Sequence, residues 1–486
     1  MLVTTIRRWR KTACRAAIFA GAILVLIPRL AAAPPHPDSP GEGRRAPASA
    51  PSADRYAIVI SVDGLMPASY AEADARGLKI PAMRELMAHG AWSPGVHDVM
   101  PAVTYPAHTT MVTGVYPRVH GIVTNGVFDP LGNRDGEWYW YESEIRVPTL
   151  WQIARAQGLR TAMISWPVTM GAQGDAVMPE FWRGRGIDLP KLLRAISTQG
   201  LWDATARRFP DFEKGFAASP VTDEAITDVA LEAIESRRPN LLLLHLPGVD
   251  HQQHEHGPWS PEALAAIETA DAQIGRVVEA ARHAGIWPRT MFLVVSDHGF
   301  TRAEMSLRPG VILRQHGFIT VDEKGHVASW RAAVAASAGS AYIYLHDPDD
   351  RETADAVRKL FDSLAAQPGS GIRRVLTPSD IAALGGDSNA CLALEAADGF
   401  ALVGGISGEP TGPAVTPGIH GFPPDREMMN SSLILDAPGV SPGKLDGARI
   451  IDIGPTVAHW LGLRLQDAEG KPLVDPSVPA ASKSGD

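Results

Sequence analysis

Tyr56-Ala57-Ile58-Val59-Ile60-Ser61-Val62-Asp63-Gly64 is a β-branched, apolar run that stops abruptly at an acid and a glycine. Such a short run, apolar almost throughout, predicts a strand buried on both faces of a parallel sheet, with Asp63 at its carboxyl end. The pattern returns twice. Asn240-Leu241-Leu242-Leu243-Leu244-His245-Leu246 runs into Pro247-Gly248-Val249-Asp250, and Thr290-Met291-Phe292-Leu293-Val294-Val295-Ser296 runs into Asp297-His298-Gly299. Between these runs, residues 80–89, 148–157, 222–236 and 261–284 carry apolar side chains at helical spacing. Strands alternating with helices predict an α/β fold, a mostly parallel sheet flanked by helices, with ligands gathered at the carboxyl ends of the strands. All three acids fall there.

The rhythm breaks at residues 307–416, where a short candidate strand at 341–345 and a helix at 352–364 lie among Gly/Pro turns. This span is expected to be a smaller inserted subdomain, dividing a catalytic core into residues 54–306 and 417–470. The second part holds Gly418-Ile419-His420-Gly421, a strand at 432–435 and a helix near 453–463; residues 471–486 are expected to form a tail.

The first 33 residues differ from the rest. Arg7, Arg8, Arg10, Lys11 and Arg15 precede an apolar run from Ala16 to Ile27 and then Ala31-Ala32-Ala33, the layout of a cleavable export signal. The apolar run is shorter than the ~20 residues a spanning helix needs, so a periplasmic or secreted protein without a stable membrane span is expected. Residues 34–53, rich in Pro and Ala, predict an extended linker. Six of the 45 basic residues and none of the 54 acidic ones lie in residues 1–33, which leaves the remainder with a formal charge of −15. That balance argues against a partner that is long nucleic acid. Of the two cysteines, Cys14 lies in the signal and Cys391 has no mate, so a large core must hold the exported chain without an internal disulfide.

Met100-Pro101-Ala102-Val103-Thr104-Tyr105-Pro106-Ala107-His108 carries the candidate nucleophile, Thr104. A threonine hydroxyl is weak at neutral pH and needs a base or a metal ion to take its proton. The chain offers metal ligands at Asp63, Asp250, His254, Asp297, His298 and His420, and six ligands suit two ions. Asp250 and His254, four apart, would share one face of a helix, and the carboxylate and imidazole pair suits zinc. His251 and His256 in the same stretch read instead as solvated.

These motifs, Asp63-Gly64, Thr104-Tyr105-Pro106-Ala107-His108, Asp250-x-x-x-His254-x-x-Gly257-Pro258, Asp297-His298-Gly299 and His420-Gly421, resemble in order the set of the nucleotide pyrophosphatase/phosphodiesterase family of the alkaline phosphatase superfamily. The resemblance, to an exported bacterial member, spans roughly residues 56–465 and departs from the family at Ala107, where Asn is common. It implies an alkaline phosphatase-like core and a metal-dependent phosphodiesterase or nucleotide pyrophosphatase with two Zn2+ per chain. One ion would be held by Asp250, His254 and His420, the other by Asp63, Asp297 and His298 with Thr104. Hydrolysis would pass through a phospho-threonine, with Asn125 donating to a phosphoryl oxygen. The partner implied is a small, nucleotide-like phosphate ester. Tyr105 could stack on its base, with Tyr139 and Tyr141 as further aromatic candidates; Arg183 and Arg185 could instead reach the terminal phosphate of a monoester. A phosphomonoesterase or phosphonate hydrolase on the same site is the alternative. A sulfatase is disfavoured, since Thr104-x-Pro106-x-His108 lacks the Cys or Ser and the Arg of that signature.

Overall fold

The computed structural model describes residues 53–134, 136–181 and 187–475. The signal, nearly all of the linker, Arg183, Arg185 and most of the tail lie outside the described residues.

β1 (Tyr56–Val62), β2 (Ala91–Val96), β3 (Thr161–Ile164), β4 (Ala176–Met178), β5 (Leu241–Leu246) and β6 (Thr290–Val295) join the strands Ser431–Asp436 and Gly443–Lys444 in one eight-stranded sheet. Its order is Gly443–Lys444, β2, Ser431–Asp436, β6, β1, β5, β3, β4. Ser431–Asp436 alone runs against its neighbours, and every other pair is parallel. β1 therefore lies between β5 and β6, and the three strand ends that carry Asp63, Asp250 and Asp297 are adjacent.

Alternation along β1 sends its side chains to two separate cores. Ile58, Ile60 and Val62 pack with Leu242, Leu244, Phe292 and Val294 beneath the helices Pro81–His89, Asp223–Arg237 and Pro261–His283. Ala57 and Val59 pack with Leu241, Leu243, Met291 and Leu293 beneath Thr104–Thr113, Leu150–Ala156 and Ile453–Trp460. Burying one such aliphatic side chain stabilises by about 1.5–3 kcal/mol, which explains why these strands lack a polar face. The mixed sheet with helices on both faces is the expected α/β architecture. Among the described residues no helix is long and apolar enough to cross a membrane.

The expected helices appear as Pro81–His89, Leu150–Ala156, Asp223–Arg237, Pro261–His283, Arg351–Ala365 and Ile453–Trp460. Three helices between residues 189 and 217 escape the sequence reading. Within 307–416, Ala332–Ala336, Ser340–Leu345, Leu392–Ala396 and Ile372–Leu376 pair in that order as an antiparallel sheet, covered by Val357 and Phe361 of the Arg351–Ala365 helix. The change of sheet comes earlier than residue 307. Thr301–Leu307 already pairs with Gly399–Leu402, Thr411–Pro413 and Gly418–Ile419, because the Asp297-His298-Gly299 turn carries the chain out of the large sheet.

The antiparallel sheet that contains Leu392–Ala396 is tied to the chain after His420 by a buried acid. Glu395, 0% exposed, accepts from Arg426 at 2.7 Å, lies 3.3 Å from Arg373 and also binds Arg374, which in turn holds Asp425 at 2.9 Å. Glu395→Gln is expected to lower the unfolding free energy by ~2 kcal/mol, less than a fully buried ion would cost because Arg373 and Arg374 stay partly in water. Equilibrium denaturation measures this, and an unchanged midpoint would show that the network contributes nothing net.

Candidate metal and phosphoryl-transfer site

Asp63 ends β1, and the turn that follows is built for close approach. Gly64 has φ +66°, and a Cβ there would meet Phe300 at 2.9 Å. The Gly64 N–H donates to Asp297 Oδ1 at 3.1 Å, which joins the ends of β1 and β6. Asp250 and His254 lie on the Gly248–His256 helix after β5, one turn apart as their spacing predicts. His420 follows the short strand Gly418–Ile419, which pairs with Thr301–Leu307. Gly339 N–H donates to the His420 carbonyl at 2.8 Å and Ser340 Oγ to the Gly421 carbonyl at 2.7 Å. Any side chain at Gly421, φ +87°, would lie 1.8 Å from the Ser337 carbonyl oxygen.

Each histidine is aimed by the backbone. His254 Nδ1 lies 2.9 Å from the Gly418 carbonyl, His298 Nδ1 3.1 Å from that of Gly299 and His420 Nδ1 3.2 Å from that of Ala102. A carbonyl only accepts, so each Nδ1 carries the proton and each Nε2 presents a lone pair. Those lone pairs converge on carboxylates. His298 Nε2 is 3.2 Å from Asp63 Oδ1, 3.4 Å from Asp297 Oδ2 and 4.0 Å from Asp250 Oδ1. Asp250 Oδ1 is 3.4 Å from His254 Nε2 and 3.7 Å from His420 Nε2, and the rings of His298 and His420 stack at 3.6 Å.

The electrostatics call for a cation. Burial, then the charges of Asp297 and Asp250, push the Asp63 carboxyl well above its ordinary range, while burial holds the imidazoles of His298 and His420 well below theirs. Asp63 Oδ1, Asp250 Oδ1, Asp297 Oδ2 and His298 Nε2 are all buried without a hydrogen-bond partner. Four orphaned donor atoms in one place would be costly unless something bound them, and mixed oxygen and imidazole nitrogen donors fit zinc.

The structure brings all six expected ligands together, with one difference in grouping. Among the described residues, two triads have donor atoms mutually within 4.8 Å: Asp250, His254 and His420, as the resemblance implies, and Asp63, Asp250 and His298. Asp250 thus faces both groups. Asp297, expected in the second, divides its carboxylate between the Gly64 N–H and His298 and stands just outside. His251 and His256 turn away and lie near Glu255, at 3.4 and 3.7 Å.

Thr104 is the first residue of the Thr104–Thr113 helix, whose dipole favours an anion at that end. Asn125 reaches the same turn: its Oδ1 accepts the Tyr105 N–H at 2.9 Å, so its amide N–H2 is left free to donate. Tyr105 itself departs from expectation. Its ring is 0% exposed, edge-on to Trp138 at 5.2 Å and packed with Ile122, Trp140 and Val168, so it offers no open face for a base to stack on. A residue in the first turn of a buried helix points its ring inward. Tyr139 packs on the rim of that cluster and Tyr141 is exposed. Two features escape the sequence reading, the imidazoles of His108 and His245 behind the carboxylates. His245 Nε2 lies 3.4 Å from Asp63 Oδ2. Its place inside an apolar strand, two residues before the Pro247 turn, was the available signal.

A parallel-stranded α/β core with a carboxylate and imidazole centre at its strand ends defines an alkaline phosphatase-like fold. The chain belongs to the type I phosphodiesterase / nucleotide pyrophosphatase family, whose pattern it matches over residues 57–421. Human ectonucleotide pyrophosphatase/phosphodiesterase family member 1 is 26% identical over 230 residues, which cover 45% of this chain and 21% of the human protein. An uncharacterized pyrophosphatase/phosphodiesterase of Schizosaccharomyces pombe is 29% identical over 255 residues, 50% of this chain and 44% of the relative. The chain thus spans less than half the length of these relatives. In solved structures, murine ectonucleotide pyrophosphatase/phosphodiesterase 5 superimposes with a TM-score of 0.61 at 18% identity, covering 86% of this chain and 97% of the murine one. An inactive threonine-to-alanine variant of that murine protein, in complex with AMP, superimposes equally well.

The shared position of Asp250 separates the ligands by their effect. Asp250→Asn is expected to retain less zinc than His254→Ala, because it weakens both triads and the histidine only one. Elemental analysis of the purified variants measures this, and equal zinc content in the two would deny Asp250 a double role.

Proposed function

We propose that the protein is an exported, two-zinc phosphodiesterase or nucleotide pyrophosphatase that works through a phospho-threonine on Thr104. The observation that carries this reading is the convergence of four unpartnered ligand atoms next to the Thr104 turn, since His108 Nδ1 lies 2.8 Å from the Thr104 carbonyl oxygen and 3.6 Å from Asp297 Oδ2. Two zinc ions, one held by Asp250, His254 and His420 and the other by Asp63 and His298 with Asp250 and Asp297 beside them, would supply Lewis-acid charge for the entering and leaving oxygens. Thr104 Oγ attacks phosphorus as its hydroxyl proton passes to water; the new P–O bond forms as the ester bond opposite it breaks, and the alcohol or phosphate departs with the electron pair and takes up a proton from water. Asn125, its oxygen engaged by the Tyr105 N–H, donates to a non-bridging oxygen as charge grows there. Water then displaces Thr104, giving the monoester and the free hydroxyl. Family membership and the AMP complex of the murine relative support a nucleotide-like diester as substrate. The basic and apolar stretch at residues 7–27 supports export.

Thr104→Ala tests the chemistry. It is expected to lose more than ~10-fold in turnover of a nitrophenyl nucleotide diester, a barrier rise above about 1.4 kcal/mol, while keeping its zinc. Chelation is expected to abolish turnover in the parent protein. A fully active Thr104→Ala protein would remove the covalent route, and faster turnover of nitrophenyl phosphate than of the diester would reassign the enzyme as a monoesterase.

A further inference from the structure

The residue before Thr104, Val103, is extended and offers no polar atom to the helix N-terminus, where Asn125 Oδ1 accepts the Tyr105 N–H at 2.9 Å. A second anchor comes from the next turn. His108 Nδ1 lies 2.8 Å from the Thr104 carbonyl oxygen and His108 Nε2 lies 2.8 Å from Ser61 Oγ. A carbonyl only accepts, so Nδ1 bears the proton and donates to Thr104; in the neutral ring Nε2 then accepts the Ser61 hydroxyl proton. Ser61 stands on β1, two residues before Asp63. The imidazole thus links the strand that ends in a ligand to the carbonyl of the attacking residue.

The ring has little freedom to leave this position. Trp166 packs edge-on at 4.8 Å and His245 edge-on at 4.6 Å, and all three side chains are fully buried. Asp297 Oδ2 lies 3.6 Å from Nδ1 on the open side.

We propose that His108 is a positioning residue that fixes the backbone of Thr104 against β1, and so sets the line along which the Thr104 hydroxyl meets phosphorus. This rests on the reading of Thr104 as the nucleophile. His108 touches no reacting atom, and its effect passes through the Thr104 carbonyl. Misplacing a reacting group by ~1 Å costs about 100-fold, which sets the scale of the effect.

The test compares His108→Ala, His108→Asn and Ser61→Ala in the zinc-loaded full chain. His108→Ala is expected to lower kcat about 100-fold, with KM shifted by less than about threefold and zinc content unchanged. His108→Asn, which restores an N–H donor where Nδ1 stood, is expected to recover roughly tenfold of that loss, and Ser61→Ala to fall between His108→Ala and the parent. Independently of turnover, a 1H–15N spectrum of the parent is expected to place the proton of His108 on Nδ1. A proton on Nε2, equal rates for His108→Asn and His108→Ala, or a loss that added zinc reverses would each overturn the proposal. Should His108→Ala fail to fold, His108→Asn, Ser61→Ala and the spectrum decide between the same outcomes. Thr104→Ala is measured alongside: if it stays active the nucleophile reading fails, whereas an inactive Thr104→Ala with a fully active His108→Ala removes only the positioning role.

Discussion

Three carboxylates at the ends of three neighbouring strands impose the constraint on which the site depends. Because β1 lies between β5 and β6, and neighbouring strands run about 4.8 Å apart, acids that follow these strands cannot avoid one another. Asp63, Asp250 and Asp297 repel, and burial removes the water that would screen them. Burial holds the imidazoles of His298 and His420 well below their ordinary range, so these two offer the acids little compensating charge. A bound cation would offset the charge of a site of this composition. The sheet order therefore determines both where the metal centre lies and why the side chains there stay unpaired.

Holding the ligands is the work of the backbone. Carbonyls of Gly418, Gly299 and Ala102 take the Nδ1 protons of His254, His298 and His420, and each of those carbonyls lies in a segment fixed by other pairings. Gly418 belongs to the short strand paired with Thr301–Leu307, and Ala102 donates its N–H to Phe422. The small sheet is thus part of the site even though none of its strands carries a ligand. It clasps His420-Gly421 through Gly339 and Ser340, and the buried Glu395 with its arginines anchors the segment that follows.

The sequence discloses the site better than the sheet that supports it. β1, β5 and β6 are readable because each is buried on both faces and so is apolar along its length, and because an acid interrupts each run or the turn after it. β2 is hidden by Pro94 and Gly95, which argue against a strand unless it lies away from the centre; here it sits near the edge, paired on one side with a strand of two residues. β3 and β4, four and three residues long, are too short to show a period. The helices between residues 189 and 217 pack as short pieces with aromatic anchors, Trp202 on Phe212 and Phe216, rather than along one continuous stripe. That these acids and histidines gather at one place was legible, but the central place of Asp250 was not, since spacing along the chain carries no information about which of two neighbouring groups a carboxylate oxygen faces.

Tyr105 shows where local reasoning about a site fails. An aromatic residue next to a nucleophile suggests a surface for the substrate, yet adjacent residues on a helix point about 100° apart. If Thr104 faces the metal centre, Tyr105 must face elsewhere, and here it faces the core formed with Trp138, Trp140 and Val168. What Tyr105 gives the site is its backbone N–H, which orients the amide of Asn125 so that its donors are free. The ring, by filling that core, holds the N–H in place.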